Sequence, residues 1–337
     1  MGEPLFHVHG EDGRISLRGV ISSPVSGALG DAYASSGSAA EVVLDCAGIE
    51  HMDIFGLNEL IKLGLRARVQ GRSLRAANVS PELVNIFRAT RTDEAFAPQP
   101  GTGSYSYSRA AASAWAEPID SIVLREVPDG AVNLNVDGLA VVGPVQGFGQ
   151  LWEKTYRVRL SGSRVTPKEA VAALKTHFPS LQPPQNRFFP TSRGIAPGEV
   201  VLINAHTPAG LVSTGVWVVH ADDDSFTFMT PQGHPESGWV SFTAFEEHGN
   251  TVAQVKGFAR ANDPIYELGF RLIGSREQER IWVHVLESLA QHFGVPGWVR
   301  MHKACVGPDL QWNQVANVWY NAQIRTVLSS LRRAFSS

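Results

Sequence analysis

Apolar and polar positions alternate over Ile15 to Val20, ISLRGV, and an apolar run, VVLDC, follows at Val42 to Cys46. Small residues from Val25 to Ser35 and helical spacing from Phe55 to Val69 separate these runs from a further strand pattern at Ser73 to Val79. Ser80 and Pro81 then supply an N-cap and a first helical residue for Pro81 to Ala89. Strands alternating with helices of this length predict an α/β layer whose central strand is buried on both faces.

The pattern changes after about residue 97. Ala97 to Glu117 is rich in Pro, Gly, Ser and Ala without a sustained period, which predicts a linker over residues 98–127. Ile119 to Leu139 predicts irregular strands, and GPVQGFG (Gly143 to Gly149) a tight backbone entry to the next domain; it lacks a phosphate-loop pattern. Trp152 to Leu160, WEKTYRVRL, alternates as a half-buried strand does. Thr166, Pro167 and Glu169 form a T-x-x-E capping box ahead of a helix with an apolar face at Val171, Leu174 and Phe178.

Beyond a Pro-rich corner (Pro179 to Pro190), five strand-like runs follow: Glu199 to Ala205, Ser213 to His220, Ser225 to Met229, Trp239 to Phe245 and Thr251 to Arg260. Their short Gly/Asp/Asn/Pro connections predict an antiparallel meander. Asp263 and Pro264 open a long helical region to Phe293, with an expected break at Gly274 and a second capping box at Ser275 and Gln278. One strand, a helix pair, a curved sheet and a long closing helix constitute the helix-grip order, which commonly encloses a cavity. Residues 295–337 form a tail expected to be an amphipathic helical extension, apolar at Trp312, Val315, Trp319, Ile324, Val327, Leu328, Leu331 and Phe335.

Composition narrows the partners. The 337 residues suit two or three domains, and 29 basic against 32 acidic side chains imply no nucleic-acid partner. The tail from Gly294 carries five Lys/Arg against one Asp, few enough that peripheral membrane contact is not expected. Cys46 and Cys305 lack metal-ligand spacing and fit a reducing compartment. Without a signal-like N-terminus or an apolar window of membrane-spanning length, the expected location is the cytoplasm.

DCAGIEHMDIFGL (Asp45 to Leu57) and IFRATRTDEAF (Ile86 to Phe96), with the order of elements around them, resemble the STAS family of anti-sigma-factor antagonists and transporter tails. The resemblance implies an α/β STAS-like domain over residues 1–97 that makes protein contacts. In switching members a phosphorylated Ser or Thr precedes the Gly of the D-x-x-G-L turn; here Phe55 stands there, so no phosphoacceptor is expected. Asp53 is placed as a helix N-cap, and Ile54 with Phe55 as either a constant docking patch, including for a second copy, or core.

GHPESG (Gly233 to Gly238), GFGQLWEKTYRVRL (Gly147 to Leu160), NRFFP (Asn186 to Pro190) and DPIYELGFRL (Asp263 to Leu272) resemble a bacterial family within the START-like, polyketide-cyclase-like (SRPBCC) superfamily. The resemblance implies an α+β helix-grip domain over residues 128–294. It also implies a pocket for a lipid-, hormone- or polyketide-like molecule, with cyclisation or dehydration in some members.

Within that domain His234 and Glu236 lie two apart, a spacing that points both to one side of an extended segment. Three roles remain open for them: an acid/base pair, ligand contacts, or a rigid turn. Location discriminates, because lining the largest cavity within mutual hydrogen-bond reach favours chemistry, whereas capping a hairpin does not. Asn204, His206, Thr214, Gln254 and Arg260 sit on or at the ends of strands with even odds of facing inward. Arg187 is placed to meet an anionic head group, although a surface position is commoner.

Asp222, Asp223 and Asp224 suit a hairpin turn better than calcium, and the histidines show no zinc spacing. No metal and no cofactor is expected. The first expectation is a non-catalytic regulatory or scaffold protein with a STAS contact module and a module binding a small hydrophobic ligand. The alternative is a cyclase- or dehydratase-like enzyme using His234 and Glu236.

Overall fold

A computed structural model describes residues 6–102, 104–207, 210–272 and 276–336. The chain divides into two compact units, Met1–Pro118 and Ile119–Ser337. Gly274 and Ser275, and with them the expected helix break and second capping box, lie outside the described residues.

In the first unit β1 (Phe6–Glu11) and β2 (Arg14–Ile21) form a hairpin, and a 3₁₀ turn leads into α1 (Ser26–Ser35). Then follow β3 (Glu41–Met52), α2 (Ile54–Val69), β4 (Ser73–Ala77), α3 (Pro81–Ala89) and the short α4 (Asp93–Phe96) and α5 (Arg109–Ala112). The sheet order is β1-β2-β3-β4, with β2, β3 and β4 mutually parallel. Strand β3 buries Val42, Leu44 and Cys46 but leaves Val43 and Asp45 half-buried, so it is not buried on both faces as expected. Asp45 explains the difference: its carboxylate accepts from Arg14 Nη2 at 2.6 Å and Asn78 Nδ2 at 2.9 Å, which needs polar surroundings. Burial is offset there by these hydrogen bonds, which hold the Asp45 carboxyl below its ordinary pKa.

The D-x-x-G-L turn has a mechanical explanation. Asp53 Oδ1 accepts from Gly56 N at 2.7 Å, capping α2, while Ser22 Oγ donates to its other oxygen at 2.5 Å. Despite these bonds, burial pushes the Asp53 pKa up. Gly56 lies against β2 so closely that a Cβ would overlap the Ile21 carbonyl, and Leu57 is fully buried. Ile54 and Phe55 are 2% and 9% exposed, so their side chains pack in the core. Within the segment read as a linker, Tyr107 and Trp115 are buried in this unit, Tyr107 Oη donating to Met52 O at 3.5 Å.

The second unit contains β5 (Val141–Val142), β6 (Leu151–Arg159), α6 (Pro167–His177), β7 (Asn186–Pro190), β8 (Val200–Thr207) and β9 (Gly210–Ala221). It continues through β10 (Ser225–Pro231), β11 (Glu236–Glu247), β12 (Asn250–Ala261), α7 (Pro264–Leu272) and α8 (Arg276–His292). Strand β13 (Val299–Gly307), a 3₁₀ segment (Trp312–Tyr320) and α9 (Ala322–Ser336) complete it. The sheet is antiparallel in the order β13-β6-β12-β11-β10-β9-β8-β7, with β5 paired to β10. A register shift between Thr227 and Phe228 interrupts the β9–β10 ladder, as a bulge does where a sheet bends.

The capping box of α6 forms, Glu169 N donating to Thr166 Oγ1 at 3.3 Å and Thr166 N to Glu169 Oε2 at 2.8 Å. Phe178, just beyond α6, meets Phe188, Phe226, Phe228 and Phe242 edge-on at 5.1 to 5.9 Å between ring centres. Leu174 of α6, Val285 and Leu289 of α8, and Tyr156 and Val255 of the sheet join this core. The long helix thus closes over the large antiparallel sheet, as the helix-grip order requires.

The tail differs from the helical extension expected of residues 295–337. Val299–Gly307 pairs with β6 from Val299 against Val158 to Gly307 against Leu151, adding an edge strand. Its consecutive polar and charged residues at His302 and Lys303 hide the alternation, because an edge strand needs little burial. The remainder is split at Asn321, whose backbone is extended (ψ 113°) and whose Nδ2 donates to Asp263 Oδ2 at 2.9 Å.

Substituting Gly56→Ala is expected to cost about 1–3 kcal/mol, the usual range for forced overpacking. Amide hydrogen exchange should show the loss in β2 and α2; unchanged protection there would contradict the close-approach account.

Candidate functional site

Inward-facing residues of the sheet, together with α7, α8 and the start of α9, enclose a cavity of about 390 Å³. Its walls are chiefly apolar, with Phe188, Ile203, Val216, Phe228, Trp239 and Trp282 among them. Gly257 of β12 and Gly269 of α7 also line it, and a Cβ at either would meet no atom within 4 Å. A strand-interior glycine forfeits packing and conformational order, so one that faces open space leaves room for something else.

Strand parity decides which expected residues reach the cavity. On paired β7 and β8, Asn186 sits opposite Ala205 and Phe188 opposite Ile203, and all four line the wall. Arg187 and Asn204 pair in the intervening register and do not line it. Arg187 instead lies over the Phe189 ring at 5.1 Å, and Asn204 Nδ2 donates to Gly130 O at 3.1 Å. His206 shares the phase of Asn204 and is exposed. Gln254 alternates with the wall-lining phase of Gly257 and Ala259 and accepts from Arg157 Nε at 2.7 Å. Arg260 is buried beside the cavity wall, its Nη1 donating to Gly149 O at 3.1 Å. Thr214, His234 and Glu236 do line the cavity.

The turn carrying His234 and Glu236 holds several chain segments together. Gly233, at φ +86°, approaches the 3₁₀ segment so closely that a Cβ would overlap the Tyr320 carbonyl, and its own carbonyl accepts from Ala322 N at 2.9 Å. Pro235 O accepts from Asn262 N at 3.1 Å, and Ser237 Oγ donates to Gly143 O at 2.7 Å. Within the turn, His234 Nδ1 lies 3.1 Å from both the backbone N and the backbone O of Glu236, accepting from the N–H in one tautomer and donating to the carbonyl in the other. Desolvation pushes the His234 pKa down to about 4, the Glu236 carbonyl, which accepts from a protonated Nδ1, opposing this in part. The two side chains share the cavity, but the imidazole is paired with the Glu236 backbone.

The Glu236 carboxylate has another partner. Gln278 Nε2 donates to Glu236 Oε2, and Gln278 Oε1 accepts from Lys154 Nζ at 2.8 Å, so an amide links an ammonium to a carboxyl along the cavity wall. Burial raises the Glu236 pKa against the opposing influences of Lys154 and Gln278. Neighbouring Tyr156 has a buried Oη with no hydrogen-bond partner among the described residues, as does Thr214 Oγ1. Burial first, then the negative charges of Glu279 and Glu236, hold the Tyr156 phenol protonated. The cavity therefore combines an extensive apolar wall with a short polar row at Lys154, Tyr156, Gln278 and Glu236.

Sequence reasoning missed Lys154, Tyr156 and Gln278 as site residues. A signal existed for the first two, since Trp152, Lys154 and Tyr156 occupy one phase of β6, placing a lysine among aromatic residues. Among the described residues, no group of three or more His, Cys, Asp or Glu could hold a metal ion, and no helix is long and apolar enough to cross a membrane.

Residues 6–98 match the family model described as "Mlab, STAS domain". No curated protein matches the chain in sequence. Among solved structures, the di-domain ARO/CYC StfQ from the steffimycin biosynthetic pathway is similar, at 15% identity and a TM-score of 0.33, over 43% of this chain and 50% of its own. The chain thus spans half the length of that protein. Protein Ms6760 from Mycobacterium smegmatis is similar at 14% identity and TM-score 0.31, over 42% of this chain and 89% of its own. The ginseng major latex-like protein 151 from Panax ginseng shows 14% identity and TM-score 0.29, over 43% and 99% of the two chains. These likenesses are too distant to carry an argument about activity.

The half-buried His234, with its lowered pKa, gives stability a defined pH dependence. Its folded pKa, about 4, lies below the ordinary 6.5, so the unfolded chain binds a proton that the folded chain excludes. Its contribution is present above pH 6.5 and falls away toward pH 4. Glu236 acts oppositely: with its folded pKa above 4.5, its contribution is full below 4.5 and is lost as pH rises through the raised value. His234→Asn, which keeps an acceptor near the Nδ1 position, should flatten the acid limb in urea titrations between pH 7 and pH 4. His234→Ala should cost about 1–3 kcal/mol at pH 7 by removing the Nδ1 contact to the Glu236 backbone.

Proposed function

We propose that this protein is a non-catalytic regulatory or scaffold protein whose first unit makes protein contacts and whose second unit holds one small, mainly apolar molecule. The STAS match over residues 6–98 supports the regulatory contact role. The observation that carries the ligand reading is the 390 Å³ cavity, with apolar walls and glycines at positions 257 and 269 where side chains would otherwise project. A ligand of this kind would lie against Phe228, Trp239 and Trp282 and present a hydroxyl, carbonyl or carboxyl to the row of Lys154, Gln278 and Glu236. A reducing compartment such as the cytoplasm suits the free Cys46 and Cys305.

Acid/base chemistry is a second reading, and one observation favours it. Glu236 lines the cavity with a raised pKa, the direction of shift that a general-acid carboxyl needs. His234 would not be its side-chain partner, because its Nδ1 is occupied by the Glu236 backbone.

Gly257→Phe fills the cavity from a position with no atom within 4 Å of the new Cβ, so the variant should fold. Native mass spectrometry of protein purified from its own host should show a retained small molecule on the wild type and none on Gly257→Phe; equal occupancy would sink the cavity reading. The Glu236→Gln variant separates the two roles. The same molecule on both proteins supports binding, whereas a product on the wild type and its precursor on Glu236→Gln supports catalysis.

A further inference from the structure

The rim of the cavity is apolar on its outer side as well as its inner side. On α7, Ile265, Tyr266, Gly269 and Phe270 line the cavity; Ile265 is also 49% exposed, and Leu268 and Leu272, following it at successive spacings of three and four, are 57% and 75% exposed. On α9, Ala322 and Thr326 are buried and Ile324 reaches the cavity. Val327, Leu328 and Leu331 on the same helix are 44–50% exposed. The two helices meet where Gln323 N donates to Tyr266 Oη at 3.0 Å. Trp319, on the turn leading into α9, is 81% exposed. Scattered apolar side chains on a surface need no explanation, but exposed apolar residues on two hydrogen-bonded helices that both line one cavity point to a contact surface.

Charge and composition select the occupant. From Leu310 to Ser337 the sequence contains three arginines and no acidic residue, and Arg325 and Arg332 lie on α9 itself. An amphipathic helix with cationic side chains, next to an exposed tryptophan, suits the boundary between lipid headgroups and acyl chains, where indole rings concentrate. A bilayer also covers the mouth while leaving an apolar path into it. The few basic residues, which taken alone argue against membrane contact, exclude docking by electrostatics alone, so the exposed apolar side chains of α7, α9 and Trp319 must supply the larger share. We propose that the rim formed by α7, α9 and Trp319 docks on an anionic lipid surface and opens the cavity directly to the bilayer. Docking stands without a ligand; passage of one between bilayer and cavity rests on the binding reading above.

The test is flotation of the full chain with vesicles of phosphatidylcholine alone and of equimolar phosphatidylcholine and phosphatidylglycerol. Wild type should float with the mixed vesicles and less with the neutral ones. Leu268→Glu combined with Leu328→Glu, both at exposed positions, should lower the floated fraction about tenfold at an unchanged melting temperature. Arg325→Gln with Arg332→Gln should remove the preference for the anionic vesicles. Failure of the wild type to float, or equal flotation of the leucine double variant, overturns the proposal. So does a wild-type dimer in light scattering that the leucine variant dissociates without any vesicle binding, which would assign the rim to a second copy. Uptake of a hydrophobic dye by wild type and leucine variant is measured in parallel. No uptake by either would count against the cavity reading alone and leave flotation to decide docking.

Discussion

The hydrogen bond from Ala322 N to the carbonyl of Gly233, at 2.9 Å, fixes where the C-terminal segment crosses the second unit. A side chain at position 233 would push the Tyr320 backbone away, and the wall built from Asn321, Gln323 and Ile324 would move with it. Asn321 secures the same crossing from the other side through Asp263, the residue that opens α7. Asn135 adds a third tie, donating to Ser213 O, Ala322 O and Thr326 Oγ1 at 2.8 to 3.2 Å. The cavity volume is therefore set by backbone contacts at its edge as well as by the size of the side chains within it.

His234 and Glu236 show how one short turn separates structural from chemical duties. The imidazole serves the turn, its Nδ1 held against the Glu236 backbone. The carboxyl, two residues on, reaches Gln278 and through it Lys154. A half-buried ammonium and carboxyl joined by an amide avoid the full desolvation cost of isolated charges while remaining apart. Such a row can orient a ligand without requiring the ligand itself to be charged.

Alternation and capping signals made much of both folds legible. T-x-x-E at Thr166 and the Asp53 cap reported local hydrogen bonds that depend on few neighbours, and both are formed. Facing was harder to read. Arg187, Asn204, His206 and Gln254 occupy the strand phase opposite the cavity, while Thr214 occupies the inward one, and a one-residue change of phase reverses every such assignment. Strands β1 and β13 escaped because edge strands bury little and so carry weak hydrophobic patterns. Gln278 lies on α8, and its relevance depends on the distant β6 and β11, a contact with no local signature. Both glycines facing the cavity were readable as residues but not as empty space.

The order of the walls along the chain carries a temporal consequence. Strand β13 seals one side of the sheet at β6, whereas α9 packs beside β9, several strands away. Residues 299–336 thus reach across the unit, and Asn321, Gln323 and Ile324 among them are the last part of the cavity wall to be synthesised. Were the rest of the unit to fold before they emerge, its aromatic wall would face water on that side. A molecule present during synthesis would then enter without passing the finished rim, so occupancy acquired at birth and occupancy acquired by exchange are two separate histories of the same site.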